Sequence, residues 1–351
     1  MGANLLGMQT RSPLDKRKAS ILRAVVREYV RTGQPVGSKT LAQRYRLKVS
    51  AATIRNDMAV LEELGSLSQP YTSAGRIPSD MGYRWFVDNW PGTHWPGLPD
   101  RAQAAIDGMM RSDFAGIEEV LDSSSHMLSD LTEATAVAVA PPAKTNRLRR
   151  IELLRRDPKR ATLLLIADNG VVEQTVIEFP TERSEVQLAD ITKRLDKKLQ
   201  GVAFEDLPTK VLEGKAVDDD SKRVAVTIQQ MVAEKTENKI FRGGTANILS
   251  PDKFADLATA HSIVDALEQP PILSSLIDTT RASGTVLVFI GQEVPIEQMR
   301  ACAVIFAPYD AGGERTGSIG VIGPTRMDYP HTISAVEAVA RSLSQLFDGT
   351  D

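Results

Sequence analysis

Apolar side chains recur at helical spacing in three stretches within the first ninety residues. The first stretch covers 14–31, the second begins at Ser38 and reaches about Tyr45, and the third covers 50–64. Serines begin the second and third stretches and glycine follows the first and third, which favours helix starts and stops at these points. The pattern therefore predicts three helices, with a tight connector over 46–49.

The third predicted helix has two different faces. At 100° per residue, Ile54, Met58 and Leu61 share one side, which should pack on the other two helices. The opposite side carries small and polar residues: Ala52, Thr53, Arg55, Asn56 and Ala59. Alanines permit close approach of the backbone, while Arg and Asn can make paired hydrogen bonds to guanine and adenine. These features predict a helix-turn-helix whose third helix enters a major groove.

A β-hairpin wing is predicted directly after this helix. Extended pieces at 67–70 and 76–77 flank the polar, glycine-ending tip 71–75. Arg76 is then placed for a phosphate or the minor groove. The full set of predicted DNA-contacting residues is Ser50, Ala52, Thr53, Arg55, Asn56, Lys39, Lys48, Tyr71 and Arg76. The alternative is that these are ordinary solvated residues, since winged helices also bind proteins.

The rest of the chain predicts a mixed architecture. Residues 90–99 contain three prolines and two glycines, which excludes a helix and indicates a linker. Beyond it, 100–134 predicts two helices, and short strands then alternate irregularly with helices. The absence of a regular strand-helix-strand rhythm favours an α+β fold over a doubly wound sheet.

Charge is unevenly distributed along the chain. Residues 1–90 carry 14 Lys and Arg against 7 Asp and Glu, a net charge of +7, whereas the remainder carries −10, so that the whole chain has −3. Basic charge concentrated on a reading domain supplies the salt-sensitive part of DNA affinity. The cations of the first helix lie mostly off its apolar face, where we expect them to be free to touch phosphate.

Several strings resemble the HrcA family, bacterial heat-inducible transcription repressors. In the N-terminal part they are LDKRKASILRAVVREYVRTGQPVGSKTLAQRY, VSAATIRNDMAVLEELG and TSAGRIPSDMGYRWFVD. Further on, GGTANILS, VLVFIGQE and GSIGVIGPTRMDYPHTISAV fit the same family in order. The resemblance covers all but about a dozen N-terminal residues. One departure from the family pattern is Pro330-His331. The other is Tyr71, at a position where the family often has His.

This resemblance implies a multidomain arrangement. The winged helix-turn-helix would span 14–89 and the linker 90–99. A GAF-like domain would be built from 100–180 and 251–351, interrupted by an inserted dimerisation domain at about 181–250. The small, polar residues 1–13 are expected to form a disordered tail.

The resemblance also implies a function. The protein would repress heat-shock chaperone operons by binding double-stranded DNA at an inverted-repeat operator as a homodimer. Heat would release it, and chaperonin would restore its activity. Two identical heads related by a two-fold axis suit the two halves of a palindrome. Two alternatives stay open: a small-molecule-gated transcriptional regulator acting through the GAF-like body, and a winged-helix assembly module that binds protein.

No catalytic or cofactor-binding pattern is present in the sequence. The four histidines are scattered, and no nucleophile elbow, Walker A motif or dinucleotide fingerprint occurs. We therefore expect no enzyme activity, no metal and no cofactor. With neither a signal peptide nor a membrane span, the expected location is the cytoplasm.

Two further segments have a structural reading. Cys302 lies in the apolar run ACAVIFA, which favours a buried structural thiol over a nucleophile. Thr325 and Arg326 follow a glycine-rich strand and could hold an anion at a helix start. The interpretation that we favour is that Arg326 braces the loop where the strand leaves its sheet.

Overall fold

The structure, a computed structural model, describes residues 14–348 with short gaps. The gaps are 73, 93–94, 115, 215–216, 235–238, 251–252, 255–256, 270–276, 278, 281–282 and 313–314. The tail predicted at 1–13 lies outside the described residues.

The chain divides into two compact units. The first unit comprises residues 1–95 together with two short segments from far along the chain, 290–293 and 325–330. The second unit comprises 96–289, 294–324 and 331–351. The first division between them thus falls inside the predicted linker.

Among its described residues, the first unit contains four α-helices and a two-stranded antiparallel sheet. They are α1 (Lys16–Thr32), α2 (Ser38–Arg44), α3 (Ala51–Glu63), β1 (Leu67–Ser68), β2 (Ile77–Pro78) and α4 (Asp80–Asp88). The three helices predicted from periodicity are confirmed. Ile21, Leu22 and Val25 of α1 are completely buried in the core of this unit.

The hairpin after α3 is smaller than predicted. Its strands cover two residues each, and the expected strand residue Arg76 pairs with Val36 instead. The Val36 and Arg76 amides each donate to the other residue's carbonyl at 2.9 Å. A Cβ atom at Gly75 would lie 2.4 Å from the Val36 carbonyl oxygen, so only glycine permits this close pairing.

The second unit mixes strands and helices. Its first six elements along the chain are α5 (Asp100–Met110), α6 (Ile117–Thr132), β3 (Thr135–Val139), β4 (Leu148–Arg155), β5 (Arg160–Ala167) and β6 (Val172–Glu178). They are followed by α7 (Glu185–Leu199), α8 (Leu207–Leu212), α9 (Asp219–Glu234), β7 (Ile240–Gly243), α10 (Leu257–Glu268), β8 (Leu287–Ile290), β9 (Cys302–Asp310), β10 (Thr316–Pro324) and α11 (Tyr329–Asp348). The prediction of an α+β fold is confirmed.

Five of these strands form one sheet in the order β7-β3-β10-β9-β8. The pairs β7–β3, β3–β10 and β10–β9 are antiparallel. Val139, Cys302 and Phe306 on this sheet belong to one hydrophobic core that also contains Ile263 of α10. Burial raises the pKa of the Cys302 thiol to about 12, which agrees with the predicted structural role of this residue.

The remaining strands form a second, separate cluster. The sheet β4-β5-β6 and helices α7 to α9 share a core that runs from Leu148 to Met231. In the chain, this cluster lies between β3 and β7, which are neighbours in the five-stranded sheet. The boundary predicted at residue 181 falls inside this core, because β4 to β6 bury their apolar side chains against α7 to α9.

Among the described residues, no helix combines the length and apolar character needed to span a bilayer.

Candidate nucleic-acid interface

Helix α3 presents the predicted reading side to solvent. Ile54, Met58 and Leu61 are at most 4% exposed and pack into the first unit. Arg55 and Asn56 are exposed, as is Ala52 near the start of the helix. The division into a buried and an open face follows the 100° periodicity of the sequence.

The beginning of α3 is fixed by a side-chain cap. The Ser50 hydroxyl accepts a hydrogen bond from the Thr53 amide at 3.1 Å, and the two hydroxyl oxygens are 3.0 Å apart. Ser50 and Thr53 were both predicted to contact DNA. The structure gives them a second role, because this cap satisfies one of the open amides of the first turn.

The connector between α2 and α3 places a lysine in an unusual backbone conformation. Lys48 has φ 56°, in the left-handed region that L residues with a Cβ rarely occupy. Its side chain is exposed just before the N-terminus of α3. Glycine would fit this turn without strain. The lysine therefore supplies a charge just before α3 but strains the backbone.

A buried glutamate joins α1 to α2. Glu28 is 4% exposed and accepts hydrogen bonds from Arg31 Nη2 at 2.8 Å, Arg44 Nη1 at 3.0 Å and the Tyr45 hydroxyl at 3.2 Å. Burial and the Glu28 carboxylate raise the pKa of Tyr45. A buried carboxylate needs such partners, so these contacts fix where α2 lies against α1.

A second buried carboxylate joins α1 to α3. Asp57 is 5% exposed, and its two oxygens accept from Arg17 Nε at 2.7 Å and Nη2 at 3.1 Å. Neither Glu28 nor Asp57 was among the residues predicted from the sequence. For Asp57 a signal existed, since on the helical wheel it falls next to Leu61, at the edge of the buried face. This bidentate pair sets the rotation of α3 next to Asn56.

The cations of α1 are largely engaged within the first unit, which corrects the expectation that they are free. Arg17 and Arg31 bind the buried carboxylates, and Lys18 pairs with Asp15 at 2.5 Å. Arg23 donates to the Asn89 carbonyl and lies over the Trp85 ring, while Arg27 lies over the Trp90 ring. These contacts join α1 to α4 and to the residues after it.

The residues of the hairpin differ in their contacts and in their exposure to solvent. Arg76 forms an ion pair with Glu62 of α3 at 2.8 Å, and its side chain is 22% exposed. Tyr71 is 62% exposed at the tip. The Gln69 amide donates to the Thr72 and Ala74 carbonyls at 2.8 and 3.0 Å, which closes the turn. Arg76 therefore braces the hairpin against α3 in this structure.

Three exposed cations in and between α2 and α3 were predicted to contact DNA. They are Lys39 on α2, Lys48 in the connector and Arg55 on α3. Across the described part of the chain, none of the three has an ion-pair partner within 4.0 Å. Their charges are thus available to an anionic partner, whereas Arg17, Lys18 and Arg31 of α1 are held in ion pairs.

Comparison with known proteins identifies the family. A sequence profile described as the HrcA protein C-terminal domain matches residues 118–333. The chain is 39% identical over 340 residues to the heat-inducible transcription repressor HrcA of Streptomyces avermitilis, covering 95% of this chain and 98% of the relative. The chain belongs to the HrcA family. The HrcA proteins of Pelotomaculum thermopropionicum and Mycolicibacterium smegmatis are each 35% identical, again over 95% of this chain and 97% and 98% of the relatives.

A solved structure supports the fold. A crystal structure described as a hypothetical protein at 2.2 Å resolution has a TM-score of 0.65 and 23% identity, and covers 97% of this chain and 100% of its own. HrcA homologues are named as transcription repressors, which is a non-enzymatic role.

The left-handed turn at Lys48 predicts a separation of stability from binding. Lys48→Gly should keep or raise the melting temperature, because it removes strain of about 1 kcal/mol. The same change should weaken binding to duplex DNA and lower the salt slope by about one. Lys48→Ala is the matched control: it loses the charge equally but keeps the strain. Equal melting temperatures for the two variants, or DNA binding that ignores both, would contradict this assignment.

Proposed function

We propose that this protein is a sequence-specific DNA-binding repressor of heat-shock chaperone operons that reads an inverted-repeat operator as a homodimer. The observation that supports this proposal is the open side of α3, where Arg55 and Asn56 are exposed. Lys39 and Lys48 are exposed too, and neither has an ion-pair partner among the described residues. An exposed reading face of this kind within an HrcA family chain favours DNA over the assembly-module alternative.

Roles follow from the chemistry of each side chain. Arg55 can donate two hydrogen bonds to guanine, and Asn56 can pair with both edge atoms of adenine. Lys39 and Lys48 would bind phosphates on either side of the groove. Ala52, with the capped start formed by Ser50 and Thr53, would let the N-terminus of α3 approach the base edges.

The hairpin would contribute at the edge of the site. Tyr71 is exposed at its tip and can reach sugar or phosphate. Arg76 would contact DNA only by sharing its guanidinium between Glu62 and a phosphate, since its ion pair with Glu62 already orients it. We therefore assign base reading to α3 and backbone contacts to the hairpin.

Protection mapping on a chaperonin-operon promoter tests this function. The wild-type protein should protect two half-sites of an inverted repeat, and affinity should fall about tenfold or more between about 50 and about 200 mM salt. Arg55→Ala and Asn56→Ala should each reduce discrimination between the native and mismatched base by about 1–3 kcal/mol. Arg194→Ala, an exposed ion-paired arginine of the second unit, is the control and should change neither quantity. Protection independent of base sequence in the wild type, or unaltered base preference in both α3 variants, would refute the proposal.

The homodimer would form through the outer face of the sheet β4-β5-β6, which shares its core with helices of the predicted dimerisation segment 181–250. The face turned away from the cluster's core carries apolar residues on all three strands: Leu154, Leu164, Ile166, Val172 and Val176. Ile166 lies opposite Val172 across the strand pair, and Leu154, Val176 and Val172 are 51%, 44% and 54% exposed. Glu152, Thr162 and Gln174 lie among these apolar residues on the same face. Exposed apolar residues mixed with polar ones are typical of a surface that packs against a partner.

A charge on this face should weaken self-association. Val176→Asp is expected to shift sedimentation towards monomer and to reduce binding of the full inverted repeat, because a buried unpaired carboxylate opposes the interface. Val226→Asp, a similarly exposed valine on α9, is the matched control and should remain dimeric. A wild-type protein that is monomeric at operator-binding concentrations would exclude this part of the proposal.

Release by heat and recovery with chaperonin complete the proposed cycle. The buried Cys302 thiol provides a readout, because its pKa of about 12 and its burial keep it unreactive while the five-stranded sheet is intact. Thiol labelling should begin at the temperature where operator binding is lost, and chaperonin should restore binding after cooling. Loss of binding well below the labelling threshold would show that release does not require opening of this core. Recovery that is equal without chaperonin would remove chaperonin from the cycle.

A further inference from the structure

We propose that Glu293, Gly291, Arg326 and Tyr329 are positioning residues for operator binding, which hold helices α1 and α4 of the first unit without touching DNA. We call their contacts with Gly33, Asp80, Tyr83 and Arg84 the α4 clamp. The inference rests on the proposed function, because it concerns how the DNA-reading helix is held. It assigns a role to the strings VLVFIGQE and GVIGPTRM, which no catalytic or ligand chemistry explains.

The strongest contact of the α4 clamp is a bidentate ion pair. Arg84 Nε of α4 donates to Glu293 Oε1 at 2.8 Å, and Arg84 Nη2 donates to Glu293 Oε2. The same Oε2 accepts the Ile290 amide at 3.0 Å, which holds the carboxylate in place. The two side chains are only 26% and 22% exposed, so solvent screens the pair less than it screens a surface pair.

The second contact lies at the N-terminus of α4. The Gln292 amide donates to Asp80 Oδ2 at 3.1 Å. Gly291 has φ 58°, and a Cβ atom there would lie 1.9 Å from the same oxygen. Only glycine allows the segment 290–293 to turn back this closely on Asp80.

The third contact involves the segment 325–330. The rings of Tyr83 and Tyr329 are 5.5 Å apart at 46°, and the two residues are 2% and 0% exposed. The Tyr329 hydroxyl donates to the Thr325 carbonyl at 2.7 Å. A Cβ atom at Gly33 would lie 2.3 Å from Arg326 Nη1, which places the guanidinium against the end of α1. The contact is with α1, whereas the sequence predicted that Arg326 braces its own loop.

The α4 clamp is linked to the reading helix through one serine. The Ser79 hydroxyl accepts from the Gly82 amide at 3.1 Å, which caps α4, and donates to the Gly65 carbonyl at 2.6 Å, two residues after α3. Asp80 follows Ser79 directly. A displacement of the start of α4 is therefore transmitted to the C-terminal end of α3.

The clamping segments continue directly from two strands of the chain. Residues 290–293 begin at the last residue of β8, and 325–330 begin immediately after β10. Within the first unit, the α4 clamp holds the start of α4 and, through Ser79, the C-terminal end of α3, so it preorganises the reading helix. An inverted repeat engages two such helices. A loss of preorganisation is therefore felt once on a single half-site and twice on the full duplex.

A charge swap tests the α4 clamp on two DNA probes: the duplex protected by the wild type and the same duplex with one half-site scrambled. Arg84→Glu and Glu293→Arg alone should each weaken binding of the half-site duplex by about threefold and of the full duplex, which engages two reading helices, by about tenfold. The double swap should restore full-duplex affinity to within about threefold. Swapping the exposed pair Arg194 and Asp218 is the matched control and should change neither probe.

Amide hydrogen exchange of α1 and α4 without DNA gives an independent readout. Exchange should be faster in either single variant and in the milder Glu293→Gln, and slower again in the double swap. Unchanged exchange, equal losses on both probes, or tighter operator binding in the single variants would overturn the inference. A wild-type protein that binds neither duplex would instead refute the proposed function, and the exchange data would still report whether the contact holds α4.

Discussion

The mutual orientation of α1, α2 and α3 depends on two buried carboxylates, Glu28 and Asp57. Glu28 binds residues of α2, and Asp57 of α3 binds Arg17 of α1, each through several hydrogen bonds. A buried carboxylate without its partners costs several kcal/mol, so the geometry that satisfies both is strongly selected over its alternatives. Apolar packing alone would tolerate small rotations of α3, whereas a bidentate pair does not. The outward direction of Arg55 and Asn56 follows from this constraint.

The same charges divide the cations of the first unit into two populations. Those of α1 are largely taken up by carboxylates, carbonyls and aromatic rings, while those around α3 are left to solvent. A count of basic residues therefore overstates the charge available to a polyanion. The net charge of the first ninety residues indicates a surplus after internal pairing, and Lys39, Lys48 and Arg55 are part of that surplus.

The sequence predicted those features of the fold that depend on periodicity. The buried side of α3 could be predicted because Ile54, Met58 and Leu61 are three or four residues apart and therefore lie on one side of a helix. The α+β class could be predicted because strands and helices alternate irregularly. Contacts between distant residues could not be predicted in this way: Arg76 with Glu62, Val36 with Arg76, and Glu293 with Arg84 leave no local pattern. The sequence also did not locate the start of the cluster formed by β4 to β6 and α7 to α9. The pattern of β4 to β6 fits strands of either sheet until their pairing is known. Lys48 gives no signal of its left-handed backbone, because lysine is not a residue that marks such turns.

The pairing of β3 with β7 has a consequence for how the second unit responds to heat. Val139, the last residue of β3, is the Cα partner of Ile240, the first residue of β7. Residues 140–239 thus begin and end side by side, as the connection of a hairpin does. Lengthening or loosening such a connection changes its closure entropy only slowly. The β3–β7 ladder can therefore persist while the intervening cluster melts, and the two can respond to temperature as separate cooperative bodies.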